Sequence, residues 1–328
     1  MHISPIDPIS QAWNHMVRIL FKPFEFKKWM LLGFCAFLAQ CGEGAGSGNA
    51  GNWSNSANQQ GFDNAKQWVE SNMELVIGIA IGTLTLIIVI GLLVNWLSSR
   101  GKFMLLDSIV KNRGAVSEPW TEYKTEGNSL FFLRIVVSII AVLGLLVAVG
   151  VPVLVALPDI KSETFSEASF AAIVFGCFLF IPYIIACIAF SFFLRVFVIP
   201  TMYLKRVRAV EGMGIAWRTL CKGHIGSAIL FFIMMFLLGI VAAIVAIIAT
   251  CATCCIVALP YIGSVILLPI TVFFACYAIC YIQQFGEEWQ FALYGPNNCS
   301  SCGYLREGLK DGQACPECGL SHPRVNNH

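Results

Sequence analysis

The chain of 328 residues is 57% hydrophobic and 12% charged, with 21 Lys and Arg against 19 Asp and Glu. Soluble globular proteins carry about 25% charged residues, so this composition excludes a soluble enzyme, a disordered chain and a secreted disulfide scaffold. Four windows hold no Asp, Glu, Lys or Arg: Leu75–Ser99, Ile135–Pro158, Ala168–Leu194 and Ile225–Gly286. Each exceeds the ~20 residues that cross a bilayer, and none alternates as barrel strands do, so the chain reads as a helical multi-pass membrane protein.

In chain order, residues 1–28 read as a cytoplasmic interfacial helix. The apolar run Trp29–Gln40 follows Lys27 and Lys28, and a first span over about 24–41 forms if these lysines snorkel. Its end, Leu38-Ala39-Gln40-Cys41, followed by Gly, Ser and Asn, also loosely fits a lipoprotein signal acylated at Cys41. Gln40 is a poor residue before such a cysteine, and the basic lead is long. Residues 42–72 are expected to be a flexible outer loop. Spans of about 75–97, 132–156 and 168–195 follow from the next three windows. The last window is split by Leu259-Pro260-Tyr261-Ile262-Gly263 into spans of about 225–257 and 262–284.

The positive-inside rule supports this count. With the N-terminus cytoplasmic, 19 of the 21 basic residues fall on the inner side, and the outer loops keep only Lys66 and Lys161. Arg134 and Arg195 sit at inner ends of their spans. The expected location is therefore the cell inner (cytoplasmic) membrane, with both termini cytoplasmic.

The spans pair into three hairpins, and each follows a Trp-bearing segment: Ile9–Trp13, Val116–Trp120 and Gly214–Trp217, with Lys22, Lys124 and Lys222 after them. Arg100 and Arg113 are separated by 13 positions, as are Arg195 and Arg208. A repeated hairpin unit is the expectation. Ile6-Asp-Pro-Ile9 with Ala12-Trp13, the Trp96–Gly101 run and the Arg195 exit resemble uncharacterised bacterial multi-pass proteins. These are similar to the membrane domain fused to glycerophosphodiester phosphodiesterases. The resemblance spans 1–290 and implies a membrane domain only. No soluble catalytic domain and no Glu, Asp and His cluster accompanies it.

The tail is expected to be a cytoplasmic domain, residues 296–328. Cys299-Ser-Ser-Cys302-Gly303 and Cys315-Pro-Glu-Cys318-Gly319 are two Cys-x-x-Cys knuckles, each followed by a glycine suited to positive φ. Four thiolates close a tetrahedral site that favours structural zinc, with rubredoxin-like iron as the lesser alternative. A small β zinc ribbon results, with Asp311-Gly312 as its turn. Saturated coordination leaves no catalytic position. Beyond Pro296 three basic residues balance three acidic ones, which argues against nucleic acid and for a protein partner. The whole is an all-α polytopic membrane domain, 24–290, built as a six-helix bundle from three helical hairpins, plus this ribbon.

No carboxylate or histidine lies inside the four charge-free windows, and no P-loop, dinucleotide fingerprint, metalloprotease motif or serine elbow occurs. Cys251, Cys254 and Cys255 near the outer face read as packing residues, with Cys41 placed to pair with Cys254 or Cys255. Asp107, at the exit of the second span, is placed to pair with Arg100 or Lys111. The leading expectation is a non-enzymatic integral membrane protein that anchors or scaffolds, with the bilayer and a protein as partners. The alternative is a transporter or channel for a neutral or lipid-like substrate, using helices broken at Pro182 and Pro260.

Overall fold

The computed structural model describes residues 3–22, 24–41, 71–162, 167–253, 257, 259–291, 293, 299, 313–316 and 319. The regular elements among them are all helical. They are α1 (Asp7–Phe21), α2 (Phe26–Cys41), α3 (Met73–Val110), α4 (Ser117–Glu122), α5 (Lys124–Ser162) and α6 (Glu167–Phe193). A π-turn, Leu194–Val198, leads into α7 (Ile199–Lys205) and α8 (Ala209–Ala216). A second π-turn, Trp217–Cys221, precedes α9 (Ile225–Ala252), α10 (Pro260–Ile266) and α11 (Leu268–Gln283). The expected loop 42–72 falls almost entirely outside the described residues, as do Cys254, Cys255 and most of the expected ribbon.

Four helices among the described residues are long and apolar enough to cross a membrane: Met73–Val110, Lys124–Leu157, Val174–Lys205 and Ile225–Ala252. Their most apolar stretches are 0%, 17%, 6% and 6% buried, so the spans expose their apolar surface instead of forming the core. The described residues are those of a helical multi-pass membrane protein. Pro182 lies within α6 without ending it.

The first and last of the six expected spans take other forms. α2 has 16 residues, about 24 Å of helix against a ~30 Å hydrocarbon core. Its Leu32, Cys35, Ala36, Leu38 and Ala39 are buried, and the helix packs on α3 and α10. The last expected span, 262–284, breaks at Leu267 into α10 and α11. Pro269 has no N–H to donate to the Val265 carbonyl four residues back. The indole N–H of Trp29 donates to that oxygen at 3.0 Å, so α2 satisfies the group that the break releases.

The core lies beyond the exposed apolar stretches. α3 has 38 residues, about 57 Å, nearly twice a bilayer's hydrocarbon thickness. Its first half is exposed, whereas most of Ser98–Val110 is buried. The same holds after α6, where Leu194 and Val196–Tyr203 are buried, and for Cys276–Ile282 of α11. These three feet touch one another pairwise.

Each short connecting helix packs on the foot of the hairpin before it: α4 on α3, α8 on α7 and its π-turn. α1 closes the ring by packing on α11. Its buried residues Ala12, His15, Met16, Ile19 and Leu20 recur at helical spacing, so one stripe faces protein. The N-terminal segment is tied to the same helix. Ser4 N–H donates to Gln284 Oε1 at 2.9 Å, Gln284 Nε2 donates to the Ser4 carbonyl at 2.8 Å, and Tyr277 donates to the Pro5 carbonyl at 2.7 Å. α9 joins the ring at its start, where Phe231 stacks on Tyr281 and Tyr277, with centroids 4.0 and 4.8 Å apart.

Two predictions follow from this packing. A Cβ on Gly101 would lie 2.7 Å from the Ala39 nitrogen, whereas one on Gly82, in the same helix, meets nothing within 4 Å. Gly101→Ala is expected to destabilise the purified protein by about 1–3 kcal/mol. Gly82→Ala is expected to be neutral or stabilising by up to about 1 kcal/mol. Thermal melts in one detergent measure both, and equal shifts would contradict the close approach of α2 and α3.

Burial, with Arg18 acting in the same direction, lowers the His15 pKa to about 4. Between pH 6.5 and about 4 the unfolded chain therefore binds a proton that the folded chain does not, and stability falls as pH drops through that window. At pH 5.5 the loss amounts to about 1 kcal/mol. Melting at pH 7.5 and 5.5 should show a smaller drop for His15→Leu than for the parent.

Candidate functional site

Of the four expected metal ligands, Cys299 and Cys315 are described, and Cys302 and Cys318 lie outside the described residues. Cys299 and Cys315 are 0% and 2% exposed and pack together in a cluster of their own, separate from the main core. The Gly319 N–H donates to the Cys315 carbonyl at 2.8 Å, and Gly319 takes φ +71°. A chain that turns back on a cysteine and leaves through a left-handed glycine is the local geometry a Cys-x-x-Cys knuckle needs. Two buried thiols from positions 16 residues apart are donors of the kind that fit a thiolate metal site. Among the described residues no group of three or more His, Cys, Asp or Glu side chains gathers, and no strand occurs.

The other chemistry-bearing cluster surrounds Asp107, which is fully buried in the foot of α3. Oδ1 lies 2.8 Å from Lys111 Nζ, one helical turn on, and accepts from Tyr203 at 3.1 Å and Tyr123 at 3.3 Å. Oδ2 accepts from Arg113 at 3.1 Å. Arg113 also pairs with Glu118, and Lys111 with Glu122 at 3.2 Å.

A second layer is built on Arg206, whose backbone is left-handed at φ +54° although it carries a side chain. Its guanidinium stacks 3.9 Å from the Tyr123 ring and pairs with Glu122 and, at 3.5 Å, with Glu126. Those contacts hold a conformation that a non-glycine residue otherwise disfavours. Phe103, Tyr123, Tyr203 and Phe291 form a column of stacked rings alongside, with successive centroids 6.0, 5.0 and 6.3 Å apart. Burial and the Asp107 charge push the Tyr123 hydroxyl well above the ordinary tyrosine range, so it stays a donor.

Of the two partners expected for Asp107, Lys111 is correct and Arg100 is not. Arg100 instead contacts Asn128, Trp96 and Trp120. Arg113 was missed although it stands six residues away, because spacing alone does not show that the chain reverses at Asn112, which has φ +50°. Tyr123 and Tyr203 carried no local signal, since the ring of feet brings them to Asp107. A carboxylate that already serves four donors is a clamp between hairpins rather than an available base.

Among the remaining cysteines, Cys251 is exposed at the far end of α9, and Cys276 and Cys280 are buried in α11. A cavity of about 370 Å³ lies by the core, between Ile3, Thr219, His224, Phe285 and Trp289, and not between the apolar stretches of the spans.

Removing the Asp107 charge leaves Lys111 and Arg113 without their buried partner. Asp107→Asn is expected to cost about 3–5 kcal/mol, and Tyr203→Phe about 1–2 kcal/mol. Denaturant unfolding in detergent reads both. A loss below that of Tyr203→Phe would show that Asp107 is not the anchor.

Residues 3–290 match the family described as "Family of unknown function (DUF7544)". No curated protein and no solved structure matches the chain. The match ends before Cys299, so it covers the hairpin ring and not the cysteine tail. It lends no support to the likeness to the glycerophosphodiester phosphodiesterase membrane domain.

Proposed function

We propose that this chain, which belongs to the DUF7544 family, is a non-enzymatic membrane anchor or scaffold whose cysteine tail is a cytosolic zinc ribbon that contacts another protein. The observation that carries the reading is the tail: Cys299 and Cys315, 16 residues apart, are buried side by side, with Gly319 at positive φ after the second knuckle. Cys302 and Cys318 complete a four-thiolate set. Such a site supplies folding free energy to a segment of some 33 residues too short to build its own core.

The ring supports a scaffold because its fully buried carboxylate, Asp107, is spent on holding hairpins together. Asp107 is saturated by its donors, and the spans expose apolar surface. If α2 and the α10–α11 pair both cross, or both stay as short helices within the ring, the number of crossings is even and both termini share one side. The basic residues concentrated at the feet and in the tail assign that side to the cytoplasm. The reducing cytosol keeps the thiols available to zinc. The membrane is the cytoplasmic one.

The test is elemental analysis of the purified chain, joined to capture from membranes with the tail intact or altered. Zinc at about one atom per chain is expected, falling to background in Cys299→Ser/Cys302→Ser while the detergent melt of the helical part is retained. The set of captured proteins should lose members in that variant. Full metal retention would remove the ribbon, identical captured sets would remove the contact role, and solute flux in reconstituted vesicles would favour transport.

A further inference from the structure

At the foot of the α3–α5 crossing stands a cation whose contacts among the described residues are all neutral. Arg100 sits where α3 passes from its exposed apolar half to its buried foot. Its guanidinium lies 4.6 Å from the Trp96 ring and 4.8 Å from the Trp120 ring, and these two indoles meet edge to face at 5.6 Å. Nε and one Nη donate to Asn128 Oδ1 at 3.3 and 3.1 Å, and the Trp96 indole N–H donates to the same oxygen at 3.1 Å. The other Nη has no acceptor among the described residues. The stem passes over Gly127, where a Cβ would lie 3.0 Å from Arg100 Cγ, so this helix crossing is shaped to admit it.

A second arginine at this crossing reaches the neighbouring residues of α3. Arg134, six residues beyond Asn128 on α5, reaches back along the hairpin and donates to Ser98 Oγ at 3.3 Å and Ser99 Oγ at 3.4 Å. The direction is that of a side chain leaving hydrocarbon for the headgroup layer. Arg113 and Arg206 of the Asp107 cluster are both matched to carboxylates. No carboxylate is paired with Arg100 among the described residues.

An oriented guanidinium with spare donors, flanked by indoles at the edge of an apolar surface, has the chemistry that takes a lipid phosphate. We propose that Arg100 and Arg134 form a binding site for the phosphate of an anionic phospholipid in the leaflet next to the feet. Trp96 and Trp120 hold the Arg100 guanidinium and cover the glycerol side of the headgroup, and Asn128 sets its plane. The site binds lipid between α3 and α5 and is independent of the metal in the tail.

The experiment uses the full chain in detergent, supplemented with phosphatidylglycerol or phosphatidylcholine, and reads retained lipid by native mass spectrometry together with the melting temperature. The parent should retain phosphatidylglycerol in preference and melt higher with it. Arg100→Gln should reduce that preference about five-fold, the scale expected for one basic group at a charged lipid surface, with its melt in phosphatidylcholine close to the parent's. Should Arg100→Gln not fold, Arg134→Gln leaves the indole stack in place and should show a partial loss. Equal retention of the two lipids by the parent, or an unchanged preference in both variants, overturns the proposal. So does an equal melting shift from inorganic phosphate or glycerophosphoglycerol, which would mark a site for soluble phosphate.

Discussion

A buried carboxylate can persist only if it is fully partnered, and this requirement organises the protein at Asp107. The residue lies on α3, yet its donors come from that helix's C-cap (Lys111), the turn that follows (Arg113), the start of the second hairpin (Tyr123) and that hairpin's end (Tyr203). Any shift of one hairpin against the next withdraws a donor from a site that water does not reach. The left-handed Arg206 and the stacked rings of Phe103, Tyr123, Tyr203 and Phe291 lie in the same region, so strain, stacking and charge depend on one arrangement.

The molecule therefore separates its two tasks along each helix. Apolar halves meet lipid, where the hydrophobic effect gives helices little reason to associate. The other halves meet one another and form a protein core with rings, thiols and hydroxyls inside. α3 shows this within one continuous helix, exposed along its first half and mostly buried from Ser98 to Val110. α5 and α6 are a partial exception: Tyr183 donates to the Ala141 carbonyl, and Gly144 and Gly176 admit Tyr183 and Pro152. The boundary between the two regimes is where indoles and guanidinium groups gather, as Trp96, Trp120 and Arg100 do.

Closure of the ring explains why the chain's ends matter to a membrane fold. α1 precedes every span and packs on α11, which follows all four, and the N-terminal segment exchanges hydrogen bonds with Gln284. The three connecting helices each carry or adjoin a tryptophan, which gives a spatial meaning to the recurring Trp segments. α4 and α8 cover the foot of the hairpin before them, and α1 covers that of α11.

The sequence by itself determined the class, because a chain 12% charged with long charge-free windows has no other place to be than a bilayer. It also determined four of the spans, the break before Pro260 and one partner of Asp107, since hydropathy, proline chemistry and helical spacing act over a turn or a window. Only the tertiary structure decided that the run around Trp29–Gln40 forms a short packed helix and that α10 and α11 separate at Leu267. Apolar composition is the same for a residue facing lipid and one facing protein. Tertiary structure also decided which cations are spent on carboxylates and which are held by indoles. Contacts such as Asp107 with Tyr203, 96 residues apart, depend on how hairpins close into a ring, and no local pattern records that closure.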